Sequence, residues 1–530
     1  MKRQRSDDDD EHNVGRSAKL RVTEEVQSRN EAQCTLQYPP RDKPAAAVAF
    51  QQPSQLISFS YTPARELEFT ESALRYYVQP PPHADLRYGY ERWIKRPEER
   101  GRLDGLLRAI VKYKARVDAG GASGKEWLSG VGVVSWRGVM TKILTAPYEE
   151  RDGWEMNIMC VNGTLYFEEH STDAKLAKKE DMTPHHRLQS YYGYAFESYC
   201  TSSLPDRREE LAASENGARH AKGWGGDVDT NVQWCSVVKT KLGRDRLVIG
   251  GEVDCVRGKY TGRPDTFVEL KTSMNIRGPS DEAKFEKKLL KFYFQSFLLG
   301  VPEIIVGFRT PAGQLTTVQS FETIHIPRLV RGKPGAWDPS VCLAWGERFV
   351  KFIRQAVEAT KQGDGTESRS NTKSQAQFGS TQSASGSGAG LHRGDSDADR
   401  SVQSASHPNR ADADAETDPK ASADADANLR ANVDVWRVKF TPGAGVTVRR
   451  LDKAGVREVQ AGEERVGFLP RWYVDELDLY AREAASSSLP SSSQTVGGRS
   501  VAEPPPAGSA PPDVAGSGDA RPPIPAGWKI

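Results

Sequence analysis

What this chain has little of narrows the field before any motif is read. Its 530 residues hold six cysteines, none spaced as CxxC or in a zinc-ligand pattern. Neither a disulfide framework nor a zinc module is expected to organise the fold, and scattered thiols in apolar runs suit a reducing compartment. Charge of one sign is not in excess: 73 Lys and Arg face 71 Asp and Glu, a net charge of +2. Without a global basic field, a nucleic-acid surface has to be a local groove. No apolar run approaches the ~20 residues of a membrane span, so no membrane partner is expected. Lys2-Arg3-Gln4-Arg5 followed by aspartates has no apolar stretch behind it, so no signal peptide is expected, and the cluster is at most a short basic import signal. Apolar residues make up 37%, too few for so long a chain to pack throughout.

The shortfall has a location. Residues 1–45 are polar, charged and aperiodic; 361–430 are Ser/Gly/Gln-rich and then alternate Asp and Ala; 481–530 are rich in Ser, Pro and Gly. All three are expected to be disordered, the middle one as a looped-out insertion. Order is expected from near Leu56, in one domain over 46–360 that strands from 431–480 complete, because about forty residues seldom hold a core alone. Leu103, Leu106, Leu107, Ile110 and Val117 fall at helical spacing. The β-branched run 130–137 predicts a strand, continued over 140–144. Asn162-Gly163 predicts a hairpin turn. The aromatic run 189–200 predicts a helix, 201–230 a polar loop, and 234–242 with 246–257 a second hairpin. A strand over 266–273 and a helix over 281–299, stopped by Gly300 and Pro302, come next. A third hairpin spans 303–321, and Asp338-Pro339 opens another helix.

Two of these strands carry charges that a core strand should not. One run ends Ile249-Gly-Gly-Glu252-Val-Asp254-Cys255; the other reads Phe267-Val-Glu269-Leu-Lys271-Thr272. Side chains at i and i+2 of a strand share a face, so each run aims a charged pair one way and Val253 or Leu270 the other. Unpaired buried charge is heavily penalised. One account is a salt bridge from Lys271 to a carboxylate on a neighbouring strand, the other acids being solvated. The other is a metal site. Mg²⁺ prefers hard oxygen ligands, and like charges at contact repel by about 4 kcal/mol at an effective dielectric near 20, so converging acids call for a cation. Asp254, fourteen intervening residues, then Glu269-Leu270-Lys271 resembles the D…(D/E)xK signature of PD-(D/E)XK nucleases.

With Trp136-Arg137-Gly138, Gly193-Tyr-Ala-Phe-Glu197 and Lys291-Phe-Tyr-Phe-Gln295 in the same chain, the series resembles the motifs of the DXO/RAI family of RNA 5′-end decapping nucleases. The resemblance runs from about residue 50 to 360, and 436–473 is similar to the C-terminal strands of the fungal branch. It implies an α+β fold: mixed twisted sheets flanked by helices around a PD-(D/E)XK nuclease-like core. It implies Mg²⁺ or Mn²⁺ bound by Glu197, Asp254, Glu269 and the carbonyl of Leu270, with Glu252 acting through water or on the substrate. Lys271 and Gln295 would hold the scissile phosphate and attacking water, Arg137 would grip the 5′-terminal phosphate or nucleotide, and Cys235 would line the pocket. Taken alone, Arg137 reads equally as a strand-end ion pair, Glu197 as an exposed acid, Cys235 as core filler and Gln295 as a loop cap.

The implied substrates are RNA 5′ ends carrying a triphosphate, an incompletely methylated cap or an NAD cap, converted to 5′-monophosphate RNA. The implied partner is the nuclear 5′→3′ exoribonuclease, in mRNA and rRNA processing, and the implied location the nucleus. A non-catalytic stabiliser of that exoribonuclease is the alternative. A DNA-processing exonuclease ranks lower.

Overall fold

The computed structural model describes residues 35–38, 47–120, 130–205, 220–376 and 434–487. Sixteen strands carry the architecture: β1 (Thr35–Leu36), β2 (Phe50–Tyr61), β3 (Leu67–Glu68), β4 (Tyr76–Tyr77), β5 (Val133–Trp136), β6 (Trp154–Val161), β7 (Thr164–Glu169), β8 (Thr201–Ser202), β9 (Gln233–Leu242), β10 (Asp245–Glu252), β11 (Cys255–Val256), β12 (Phe267–Met274), β13 (Glu303–Arg309), β14 (Leu315–Glu322), β15 (Trp436–Thr441) and β16 (Gly445–Arg450). The principal helices are α1 (Asp104–Ala119), α2 (Arg137–Thr145), α3 (Pro184–Cys200), α4 (Pro279–Leu299), α5 (Pro339–Ala376) and α6 (Arg471–Ser487).

Two mixed sheets result. The larger has the order β1-β16-β15-β6-β7-β5-β10-β9-β2-β3, and the smaller β14-β13-β12-β11-β4-β8. Local chemistry explains the joints. The β6–β7 hairpin turns on Asn162 and Gly163, with φ of 49° and 81°, the left-handed pair a type I′ turn needs. Thr183 caps α3 by accepting from the His186 N–H, which starts the helix earlier than its aromatic run suggests. Gly300, at φ 75°, closes α4, since glycine takes this conformation without a steric penalty. Asp338 accepts from the Ser340 N–H at 2.8 Å, the expected cap of α5.

Several expectations need correction. Residues 140–144 do not extend β5: the chain turns helical at Arg137. Val139, Met140, Ile143 and Leu144 are buried on one helical side, and so short an apolar run does not reveal its period. Order does not begin at Leu56, because β2 starts at Phe50 and β1 pairs Thr35 with Thr447. The run 246–257 is not one strand: β10 ends at Glu252, and Cys255–Val256 belongs to the other sheet. Residues 201–230 hold β8 and a buried Trp224. Backbone helix continues past 361 to Ala376 and past 481 to Ser487. The remainder of the expected disordered segments lies outside the described residues.

The C-terminal segment is built into the main core. β15 pairs antiparallel with β6, Phe440 standing opposite Trp154, and the two rings stack with centroids 5.0 Å apart. The Tyr166 and Tyr473 hydroxyls meet at 3.1 Å in the interior, and Arg465 grips Asp104 at the start of α1 through two bonds. Phe440→Ala is expected to cost about 3–5 kcal/mol, read as a lowered denaturation midpoint. A chain ending after residue 430 should lose cooperative unfolding altogether. An unchanged midpoint in that truncated chain would refute the placement of these strands in the core.

Candidate active site

The site forms where the chain crosses between sheets. β10 ends the large-sheet part at Glu252. Val253 donates back to the Trp234 carbonyl, and Cys255 then pairs with Val268 of β12. Asp254 is thus at the crossing, and its Oδ2 accepts the Leu270 N–H at 2.6 Å. Glu252 and Asp254 are not an i, i+2 pair of one strand. They come together with Glu269 because the chain changes sheets between them.

Glu269, on β12, has no exposed surface. Its two oxygens are claimed by Arg137 Nη1 at 2.7 Å and Lys271 Nζ at 2.5 Å. Lys271 Nζ also stands 3.8 Å from Asp254. Lys271 thus pairs closely with Glu269 of its own strand and more loosely with Asp254 of the neighbouring segment, neither acid is solvated, and Arg137 joins the same cluster. Arg137 opens α2 directly after β5, whose Trp136 lies parallel to Gly250. A Cβ on Gly251 would sit 3.0 Å from Arg137 Cβ and 2.8 Å from a Leu299 methyl. A bare backbone there leaves room for the Arg137 side chain beside Leu299.

Glu197 is half-buried in the last turn of α3. Its neighbour Phe196 lies over Gly307 of β13, where a Cβ would come within 2.5 Å of the ring. Gln295 is half-buried on α4, one turn before Leu299 and so on the face that meets Gly251. Cys235 is buried opposite Glu252 in the β9–β10 register; burial, then the Glu252 charge, pushes its thiol well up, so it is neutral.

Three side chains at this site went unread in the sequence. Gln233 donates to Glu252 at 2.8 Å, and its carbonyl oxygen accepts from Arg65 at 2.6 Å and Arg96 at 3.1 Å. Arg65 and Arg96 sit in loops more than 130 residues before Gln233, and no spacing rule connects them. A cleft of about 490 Å³ opens here, with Trp93, Arg96, Tyr194, Glu197, Glu252 and Asp254 among its walls.

Electrostatics splits the acids into two kinds. Burial works against the Glu269 charge, but Arg137 and then Lys271 outweigh it and hold the carboxyl down to about 2. Burial and repulsion from Glu269 push Asp254 up to about 7. Glu197 is raised well above its usual range by burial, then by Asp254 and Glu252, and Glu252 is raised by burial despite Arg137. Lys271 loses to burial but gains more from Glu269 and Asp254, and is held up.

This arrangement tests the expected metal. Among the described residues no three His, Cys, Asp or Glu side chains already converge as a cage, since Glu269 is turned onto its two cations. Four carboxylates nonetheless act on one another around Arg137 and Lys271 alone in direct contact. Burial and mutual repulsion push these acids toward the protonated form. Hard oxygen donors with surplus charge fit a divalent cation, which would displace those protons.

Folded Asp254 binds its proton more tightly than the unfolded chain does. Its contribution to metal-free stability is therefore complete below the ordinary carboxylate range and is lost as pH rises through about 7. Without added cation, thermal midpoints should fall over that window. Added Mn²⁺ should restore them, most strongly at the alkaline end. In Asp254→Asn the slope should flatten and the Mn²⁺ response shrink by about 10-fold or more in affinity. An unchanged slope in that variant would remove Asp254 from the shared-proton centre. Gly251→Ala, crowding Arg137, should weaken the same response without touching an acid.

The chain is similar to known nucleases over the span that holds these residues. A family model described as "RAI1 like PD-(D/E)XK nuclease" matches residues 51–384. A decapping nuclease RAI1 of Mycosarcoma maydis is 41% identical over 369 residues, 59% of this chain and 72% of the relative. The decapping and exoribonuclease protein of Rattus norvegicus is 37% identical over 318 residues, 58% of this chain and 76% of the relative. In fold, the chain is similar to Candida albicans Rai1, solved in complex with pU5-Mn²⁺, at a TM-score of 0.59 and 21% identity, with 84% of this chain and 99% of that one covered. The matched span holds Arg137, Glu197, Glu252, Asp254, Glu269, Lys271 and Gln295, and with it the chain belongs to the RAI1-like PD-(D/E)XK nuclease family, decapping nucleases that hydrolyse RNA.

Proposed function

We propose that this protein hydrolyses phosphate linkages at RNA 5′ ends with the help of Mg²⁺ or Mn²⁺ and leaves 5′-monophosphate RNA. The observation that carries this reading is the buried Glu269 held between Arg137 and Lys271, with Asp254 3.8 Å from the Lys271 Nζ beside it. Glu197, Asp254 and Glu269, with the Leu270 carbonyl, would hold the cation, and Glu252 would act through water or on the substrate. The cation, when bound, lowers the pKa of water and neutralises charge on the phosphate.

The chain's own groups do the rest. Lys271 offsets charge that develops on the phosphate in the transition state. Gln295, on the α4 face that meets Gly251, holds the phosphate and its attacking water. Arg137 grips the 5′-terminal phosphate or nucleotide, and Cys235 lines the pocket as an uncharged wall. The substrates that fit are 5′-triphosphate RNA, RNA with an incompletely methylated cap and NAD-capped RNA. Their product suits a 5′→3′ exoribonuclease, so that nuclease in the nucleus, in mRNA quality control and rRNA processing, is the proposed partner.

Purified protein with triphosphate-, cap- and NAD-ended RNAs should release pyrophosphate, cap or NAD with Mg²⁺ or Mn²⁺ and none with chelator. Glu197→Ala combined with Asp254→Ala should lower that release by about 10³-fold or more. Release that survives the double change would leave a non-catalytic stabiliser as the better reading.

A further inference from the structure

A second cavity, of about 500 Å³, lies outside the catalytic cleft, between β2, the segment after β3 and α1. Its walls include Ser58, Phe69, Thr70, Glu71, Lys112 and Arg116. We propose that it binds one unstacked nucleotide of the RNA, downstream of the 5′ end. The inference rests on the RNA 5′-end reading above and assigns that substrate a second point of attachment.

The chemistry of the walls is that of a single-strand site. Phe69, one residue past β3, is 38% exposed and rests edge-on against Phe59, with ring centroids 6.4 Å apart. Lys112 Nζ stands 5.8 Å from the centre of that ring. Arg116 follows one helical turn later and shares the Lys112 face of α1. Both cations are exposed, and neither is held by a carboxylate among the described residues. An aromatic face beside two unpaired cations can stack a base and neutralise the flanking phosphates. The Ser58 and Thr70 hydroxyls and the Glu71 carboxylate supply the acceptors that a ribose 2′-hydroxyl can donate to. The volume suits a nucleotide rather than a peptide side chain.

One segment separates the cavity from the cleft. Phe69, Thr70 and Glu71 wall the cavity, and Ala73 of the same segment lines the catalytic cleft. Ser60 Oγ fixes that partition, donating to the Thr70 carbonyl at 2.9 Å and accepting from the Ala73 N–H at 3.1 Å. Gly105, at the start of α1, abuts Tyr61, whose ring carries Arg65 at 3.7 Å, the arginine that reaches Gln233. From Gly105 to Lys112 is about 10 Å along the helix. An RNA chain leaving the cleft over the Phe69–Ala73 partition meets the ring and then the two cations.

The test uses the full chain and 5′-monophosphate RNAs of about two and about ten nucleotides, with binding followed by fluorescence anisotropy over a salt series. Lys112→Ala combined with Arg116→Ala should weaken the longer RNA about 10-fold and flatten its log–log salt dependence by about 1. The two-nucleotide RNA should bind as before. Phe69→Leu, which keeps an apolar side chain but no stacking face, should also weaken only the longer RNA, with an unchanged thermal midpoint. On triphosphate-ended RNA of the longer length, KM should rise and kcat stay. Equal loss for both lengths, or unchanged binding of the longer RNA in both variants, overturns the inference. Absence of turnover on either length by the unaltered chain would instead overturn the 5′-end reading.

Discussion

Glu269 is a carboxylate with no exposed surface, tied to Arg137 from the large sheet side and to Lys271 from its own strand. Breaking such a pair from one side leaves a buried charge uncompensated, a loss of about 3–5 kcal/mol. The two sheets therefore meet around this ion cluster as well as around their shared apolar core. Gly251 and Gly307 serve it from a distance, each by lacking a Cβ where a neighbouring residue must pass. The first clears Arg137 and the second seats α3, which brings Glu197 to the cleft.

The same cluster sets the protonation of everything beside it. Two cations satisfy one acid fully, so Glu269 is ionised and its neighbours are crowded. Asp254, Glu197 and Glu252 all rise above the ordinary range. A site built this way favours the protonated form of these acids and, by the same repulsion, would favour a bound cation. Protonation and folding stability are thereby coupled at these acids.

How much of this was legible in the residues varies by element. The hairpin at Asn162-Gly163, the stop at Gly300 and the cap at Asp338 follow from backbone conformation, so a local reading finds them. Met140 to Leu144 misled because four apolar residues fit either period until neighbours choose one. The acids around β10 and β12 are visible as charges out of place, and Asp254 does stand beside β12, just before the start of its neighbour β11. The change of sheet at Val253, which separates it from Glu252 on β10, has no local signal. Gln233, Arg65 and Arg96 left no pattern, because contacts across more than a hundred residues have no local spacing.

The sequence by itself determined the candidate groups: the acids, the lysine and their D…ExK spacing. It also determined the local turns, since φ preferences act within a few residues. Only the tertiary structure decided that Glu269 is the ionised member, that Asp254 and Glu197 carry the strain, and that β15 completes the sheet begun near residue 50. Those outcomes depend on burial and on distances between groups far apart in the chain, and both exist only once the two sheets have packed.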